Sequence, residues 1–100
     1  MLKHIVLFKL KEQAEGAGKD QNARKLKAEL EALAGKIPQI RKIEVGINTV
    51  PSEAAYDVAL YSEFSNKDDL QIYQKHPEHL KVVDLVKTIA AGRAVVDYVI

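Results

Sequence analysis

An α+β domain, one antiparallel sheet with helices packed on a single face, is the fold the sequence predicts, and three observations predict it. Apolar residues recur two apart in four short runs, the periodicity of strands. Between those runs they recur three and four apart, the periodicity of helices. Glycine or proline stands where one pattern gives way to the next, at Gly16 and Gly18, Gly35 and Pro38, Pro51, Pro77 and Gly92.

The first run, Leu2 to Leu10 (LKHIVLFKL), reads as a strand. Its even positions carry Leu2, His4, Val6, Phe8 and Leu10. Its odd positions carry Lys3, Ile5, Leu7 and Lys9, so both faces are apolar at the centre. The following KEQAEGAGKD has no apolar period and is expected to be a loop, with Asp20 placed to cap the next helix. From about Asp20 to Lys36, Leu26, Leu30, Leu33 and Ile37 form a helical stripe with Ala23 and Ala34 beside it. Lys25, Lys27, Glu29 and Glu31 occupy the solvated side, and Gly35 and Pro38 end the helix.

Ile40 to Val50 is the second expected strand, with Gly46 as a candidate bulge. A turn at Pro51 to Ala54 leads into a third, Tyr56 to Phe64. Ser65, followed three residues later by Asp68, reads as the N-cap of a short helix carrying Leu70 and Tyr73. That helix ends near His76 and Pro77, and Pro77 suits the first turn of another. Leu80, Val83, Leu85, Val86 and Ile89 give this last helix its apolar side, Gly92 ends it, and Ala94 to Ile100 is the final strand. The order strand, helix, strand, strand, helix, strand, joined by right-handed crossovers, is the ferredoxin-like arrangement.

Composition narrows the function. At 100 residues the chain has room for one compact domain, residues 1–100. Lys and Arg number 15 against 14 Asp and Glu, a net charge of +1, whereas binding through phosphate neutralisation calls for a basic excess. No nucleic-acid partner is expected. The absence of cysteine removes disulfides, thiolate zinc sites and cysteine nucleophiles. The longest apolar run near the start, Ile5 to Phe8, is far short of a ~20-residue span, so a cytoplasmic domain with no membrane partner is expected.

A sheet with helices on one side should be polar on the other, yet the open face is expected to carry Ile5, Leu7, Ala59, Tyr61, Val95 and Val99. Apolar surface of that kind marks an interface, and two copies packed sheet to sheet would cover it. A homodimer is therefore expected.

His4, Tyr73, His76 and His79 are the residues that break the pattern. If the even face of the first strand meets the helices, His4 and the Tyr73–His79 segment share one cleft. A neutral imidazole there can take a proton near pH 7. A phenol beside it can donate a hydrogen bond to a carbonyl oxygen on which negative charge develops. That pairing suits proton abstraction next to a carbonyl and needs no metal or organic cofactor. The bland alternatives are a hydrogen-bonded structural His4, a capping His76, a core Tyr73 and a surface His79. His76 and His79 are three apart, but Pro77 disturbs the turn they would share, and no metal site is expected. The GAG at Gly16 to Gly18 lacks the further glycine or Lys-Ser/Thr pair of a phosphate loop.

HIVLFKLK, IPQIRKIEVGIN, YDVALYSEF and above all LQIYQKHPEHL, with its Y-x-x-H-P-x-H run at Tyr73, His76, Pro77 and His79, resemble the stress-responsive A/B barrel (Dabb) domain family over nearly the whole chain, His4 to Tyr98. The resemblance implies a ferredoxin-like subunit that forms a dimeric α+β barrel. In a plant polyketide cyclase of that family, positions like Tyr73 and His79 serve as hydrogen-bond partner and general base, and one like His4 lines the pocket. The resemblance thus implies His79, Tyr73 and His4 as catalytic residues. The chain departs from that cyclase at Val58, where the cyclase carries a further pocket histidine. Two readings follow: a cofactor-independent cyclase or lyase acting on a small keto or polyketide compound, or a non-catalytic dimeric module for stress response or for holding a hydrophobic ligand.

Overall fold

The computed structural model describes residues 1–100. Strand β1 (Leu2–Leu10) is followed by a two-residue pair, β2 (Gln13–Ala14) and β3 (Ala17–Gly18), then helix α1 (Lys19–Ala32) with a closing 3₁₀ turn at Leu33–Gly35. Next come β4 (Lys42–Ile47), β5 (Val58–Phe64), α2 (Lys67–Lys75), α3 (Pro77–Ile89) and β6 (Ala90–Val99). The main sheet has the order β4-β5-β1-β6 with every neighbouring pair antiparallel. This is the ferredoxin-like α+β fold expected from the element order.

Parity along β1 decides what lies inside. Leu2, His4, Val6, Phe8 and Leu10 are all buried, while the odd positions are half-buried or exposed. On β5 the matching even set, Val58, Leu60, Ser62 and Phe64, is buried against the helices. Leu26, Leu30 and Leu33 fill the space above them with Leu70, Tyr73, Val82 and Ile89. Val82 is buried where the sequence pointed to Leu80, which is 48% exposed, because α3 is rolled so that the Val82–Val86–Ile89 line faces inward.

Several local expectations are corrected. The segment expected as a loop after β1 contains the β2–β3 pair, closed by a two-residue turn in which Glu15 (φ 53°) and Gly16 (φ 73°) are both left-handed. Such a turn matches strand twist, and glycine enters the left-handed region at no steric cost. Asn22 anchors it by donating from Nδ2 to the carbonyls of Ala14 and Ala17. Gly18, not Asp20, stands at the N-cap of α1, and Asp20 lies in the first turn where its charge suits the helix dipole. Asn66 rather than Ser65 caps α2, its Oδ1 accepting from the Asp69 N–H at 2.8 Å. Gly46 sits in register opposite Ala59 without a bulge. The irregularity falls instead on β6, where Lys9 faces Gly92 and Leu10 faces Ala90. The last helix ends at Ile89, and β6 begins there with Gly92 inside it.

The faces of β6 also differ from expectation. Ile5 pairs with Val96, Leu7 with Ala94 and Lys3 with Tyr98, so these β6 residues occupy the open face. Val95 lies opposite Val6, and Val99 opposite Leu2, on the helix-facing side. The open face therefore carries Ile5, Leu7, Ala59, Tyr61, Ala94 and Val96. At one end of it Lys3 Nζ donates to the Tyr61 hydroxyl (2.7 Å) and to Glu63 (2.9 Å).

Candidate active site

Proline creates the site's corner. Pro77 disfavours helical backbone at the residue before it, and His76 is extended at φ −64°, ψ 137°. The chain breaks there between α2 and α3, and the His76 Nδ1 accepts the Glu78 N–H at 3.1 Å to cap the new helix. His76 is thus a boundary residue and does not line the cavity described below. The break folds the last turn of α2 onto the first turn of α3. Tyr73 and His79 come together there, ring centroids 4.4 Å apart.

The same break fixes the imidazole. The last carbonyls of a helix have no partner within it. One of these, Gln74 O, lies 3.0 Å from His79 Nδ1 and accepts its proton. Nε2 is then the nitrogen with the free lone pair. Burial holds the His79 pKa below its ordinary value of 6.5; the bond to Gln74 opposes the shift, and the nearby charges of His4, Arg93 and His76 add to it. At neutral pH the ring is the uncharged base.

Tyr73 is fully buried, and its hydroxyl has no hydrogen-bond partner. Burial pushes its pKa up to about 12, so the phenol stays protonated and able to donate. Phe64 packs against it at 5.0 Å and His4 at 6.1 Å, both between ring centroids. His4 projects from the inner face of β1 and is oriented by Asp97, whose Oδ1 lies 2.5 Å from its Nδ1. Asp97 stands directly opposite on β6.

His4, Tyr73 and His79 line one cavity of about 270 Å³ between the sheet and the helices. Sites for small molecules commonly run ~300–1,000 Å³, so this one suits a compact ligand. The rest of its wall is mainly apolar, with Val6, Phe8, Leu60, Val82 and Val86. Val58, the position of departure from the polyketide cyclase, is buried but is not among the lining residues. Sequence reasoning missed Asp97, Gln74, Arg93 and Lys87. Asp97 left a signal, an acidic residue alone in an apolar strand. Gln74 left none, because it acts through its backbone carbonyl.

A titration of the histidine ring protons by NMR is expected to place the midpoint for His79 below 6.5. A depressed folded value means that the unfolded chain binds this proton more readily. The associated stability is full above about pH 6.5 and is lost as pH falls through the folded midpoint. A midpoint at or above 6.5 would contradict the buried, Gln74-bound ring.

Fold and cavity together define a ferredoxin-like α+β domain with a histidine–tyrosine pocket between its layers. The chain belongs to the stress responsive A/B barrel domain family, whose model matches residues 2–100. It is 34% identical over 99 residues to an uncharacterised protein of Streptomyces coelicolor, covering 98% of each. A crystal structure from Bacteroides fragilis, described as a dimeric protein of unknown function with a ferredoxin-like fold, superposes with a TM-score of 0.85 at 42% identity. The match covers 99% of this chain and 95% of that one. Hydroxynitrile lyase from Passiflora edulis shares the fold with a TM-score of 0.83, at 19% identity over 99% of this chain and 92% of its own. No helix of the domain is long and apolar enough to cross a membrane.

Proposed function

We propose that the domain is a homodimer in which each subunit uses the His4–Tyr73–His79 cavity for cofactor-independent acid–base chemistry next to a carbonyl, of the lyase or cyclase type, on a small keto compound. One observation carries this reading: a fully buried phenol with no partner stands beside an imidazole whose Nδ1 is already occupied. Buried hydroxyls are nearly always satisfied, and one left open is costly unless a ligand completes it.

In the proposed reaction His79 Nε2 removes the proton from the carbon next to the carbonyl. The electron pair moves onto the carbonyl oxygen, where the Tyr73 hydroxyl donates a hydrogen bond to the growing charge. His4, held by Asp97, forms the wall against which the substrate is oriented. The proton on His79 then returns to carbon or to a leaving group. Two copies meeting through the open face would bury Ile5, Leu7, Ala59, Ala94 and Val96, as the apolar surface requires. The Bacteroides fragilis structure is described as dimeric, which supports a two-copy assembly.

The test is deuterium exchange at the carbons flanking the ketone of 4-phenyl-2-butanone, followed by ¹H NMR in D₂O. Exchange is expected above the buffer background, rising with pH through the His79 midpoint to a plateau. Binding of the ketone without any excess exchange would sink the catalytic reading and leave a domain that holds an apolar ligand.

A further inference from the structure

The cavity wall carries two cations that the chemistry above does not use. Arg93 and Lys87 both line it, both are exposed, and neither makes a salt bridge or side-chain hydrogen bond. Other lysines of the chain do hold carboxylate partners, as Lys3 does with Glu63, Lys19 with Glu12, and Lys27 with Glu31. The carboxylates nearest in sequence do not neutralise this pair. Asp97 is engaged by His4, and Asp84, one turn before Lys87 on α3, forms no ion pair. Arg93 owes its position to strand register, since it stands opposite Phe8 on the helix-facing side of β6.

Arg93 stands opposite Phe8, four register positions along the sheet from His4, and Lys87 follows His79 by eight residues on α3, with Val95, Phe8 and Val86 in the same wall; Arg93 still lies near enough for its charge to act on His79. On β1, His4 and Phe8 are four residues apart, ~13 Å of strand at ~3.3 Å per residue, and the long arginine side chain shortens the gap a ligand must bridge. A guanidinium and an ammonium without counter-ions, in the wall of a mainly apolar pocket, recognise a carboxylate.

We infer that the substrate is a keto acid: its carbonyl at Tyr73 and His79, an apolar spacer of several carbons along the valine wall, and a terminal carboxylate bound by Arg93 and Lys87. This rests on the acid–base reading for the placement of the carbonyl. The charge preference itself is measured by binding and does not need turnover.

The probes are 6-oxoheptanoate and its neutral analogue 6-oxoheptanamide, which share ketone and spacer and differ in charge. Both are titrated by ¹H–¹⁵N NMR into the wild type and the Arg93→Gln/Lys87→Gln double variant, with the spectrum itself reporting that the fold is kept. The wild type is expected to bind the acid at least about 10-fold more tightly than the amide, a preference that shrinks as salt rises. In the double variant the two affinities converge while that of the amide is unchanged. Equal affinities in the wild type, a preference that survives in the double variant, or no binding of either probe at millimolar concentration would each overturn the inference. A preference kept in a protein without exchange activity would support the keto-acid site while sinking the catalytic reading.

Discussion

Val96→Asp is expected to yield a folded monomer if the chain pairs through its open face as proposed. Val96 lies on the open face, 52% exposed in the single subunit, and contributes nothing to the core beneath the helices. A carboxylate there costs an isolated subunit little. In a sheet-to-sheet dimer the same carboxylate is pressed among Ile5, Leu7 and Ala94, and the nearest cation on that face, Lys3, is already paired with Glu63. Breaking charge balance in a buried setting costs ~3 kcal/mol or more. A two-fold interface receives the substitution twice, about 6 kcal/mol in all, or roughly 10⁴-fold in the dissociation constant. Sedimentation velocity reads the assembly and circular dichroism the fold. Val99→Asp is the matched control: equally apolar and three residues on, but facing the helix side opposite Leu2, it should leave the dimer intact. Two dimers, or two monomers, from this pair would contradict the assignment of faces.

That pair also marks where sequence reading ran out. In β1, His4 and the charged Lys3 and Lys9 break the apolar run asymmetrically, and parity alone tells the inner face from the outer. In Ala94 to Ile100 both parities are apolar, so alternation cannot choose. Only the hydrogen-bonded register with β1 puts Val96, not Val95, outside. The short β2–β3 pair was hidden because Glu-Gly is an uncommon way to fill a two-residue turn that wants both positions left-handed. Ser65 and Asn66 are adjacent and equally good caps by composition, and the choice between them depends on where the strand lets go. The meeting of His4, Tyr73 and His79 was legible because it follows from two local rules, strand parity and the helix break before Pro77. Their partners were not, since Asp97 arrives through pairing across 93 residues of sequence and Gln74 through a carbonyl that every residue has.

Tyr73→Phe should make the protein more stable and less active, and His79→Gln should abolish exchange while leaving the fold and dimer in place. The tyrosine hydroxyl is buried with no partner, and an unsatisfied buried group costs ~1–3 kcal/mol. Phenylalanine keeps the ring against Phe64 and His79 and removes that cost. A gain of ~1 kcal/mol raises the melting temperature of a 100-residue domain by roughly 4–8 °C. Loss of one positioned donor to a developing oxyanion lowers rate by ~10²–10³. Loss of a general base lowers it by ~10²–10⁴, which places His79→Gln at the buffer background. Thermal unfolding and deuterium exchange are measured on the same preparations. If Tyr73 were a structural residue, the signs would reverse: the hydroxyl would be holding something, its removal would lower the melting temperature, and exchange would be untouched. A single substitution that gains stability and loses activity is hard to obtain from a core tyrosine and follows directly from a donor kept open for substrate.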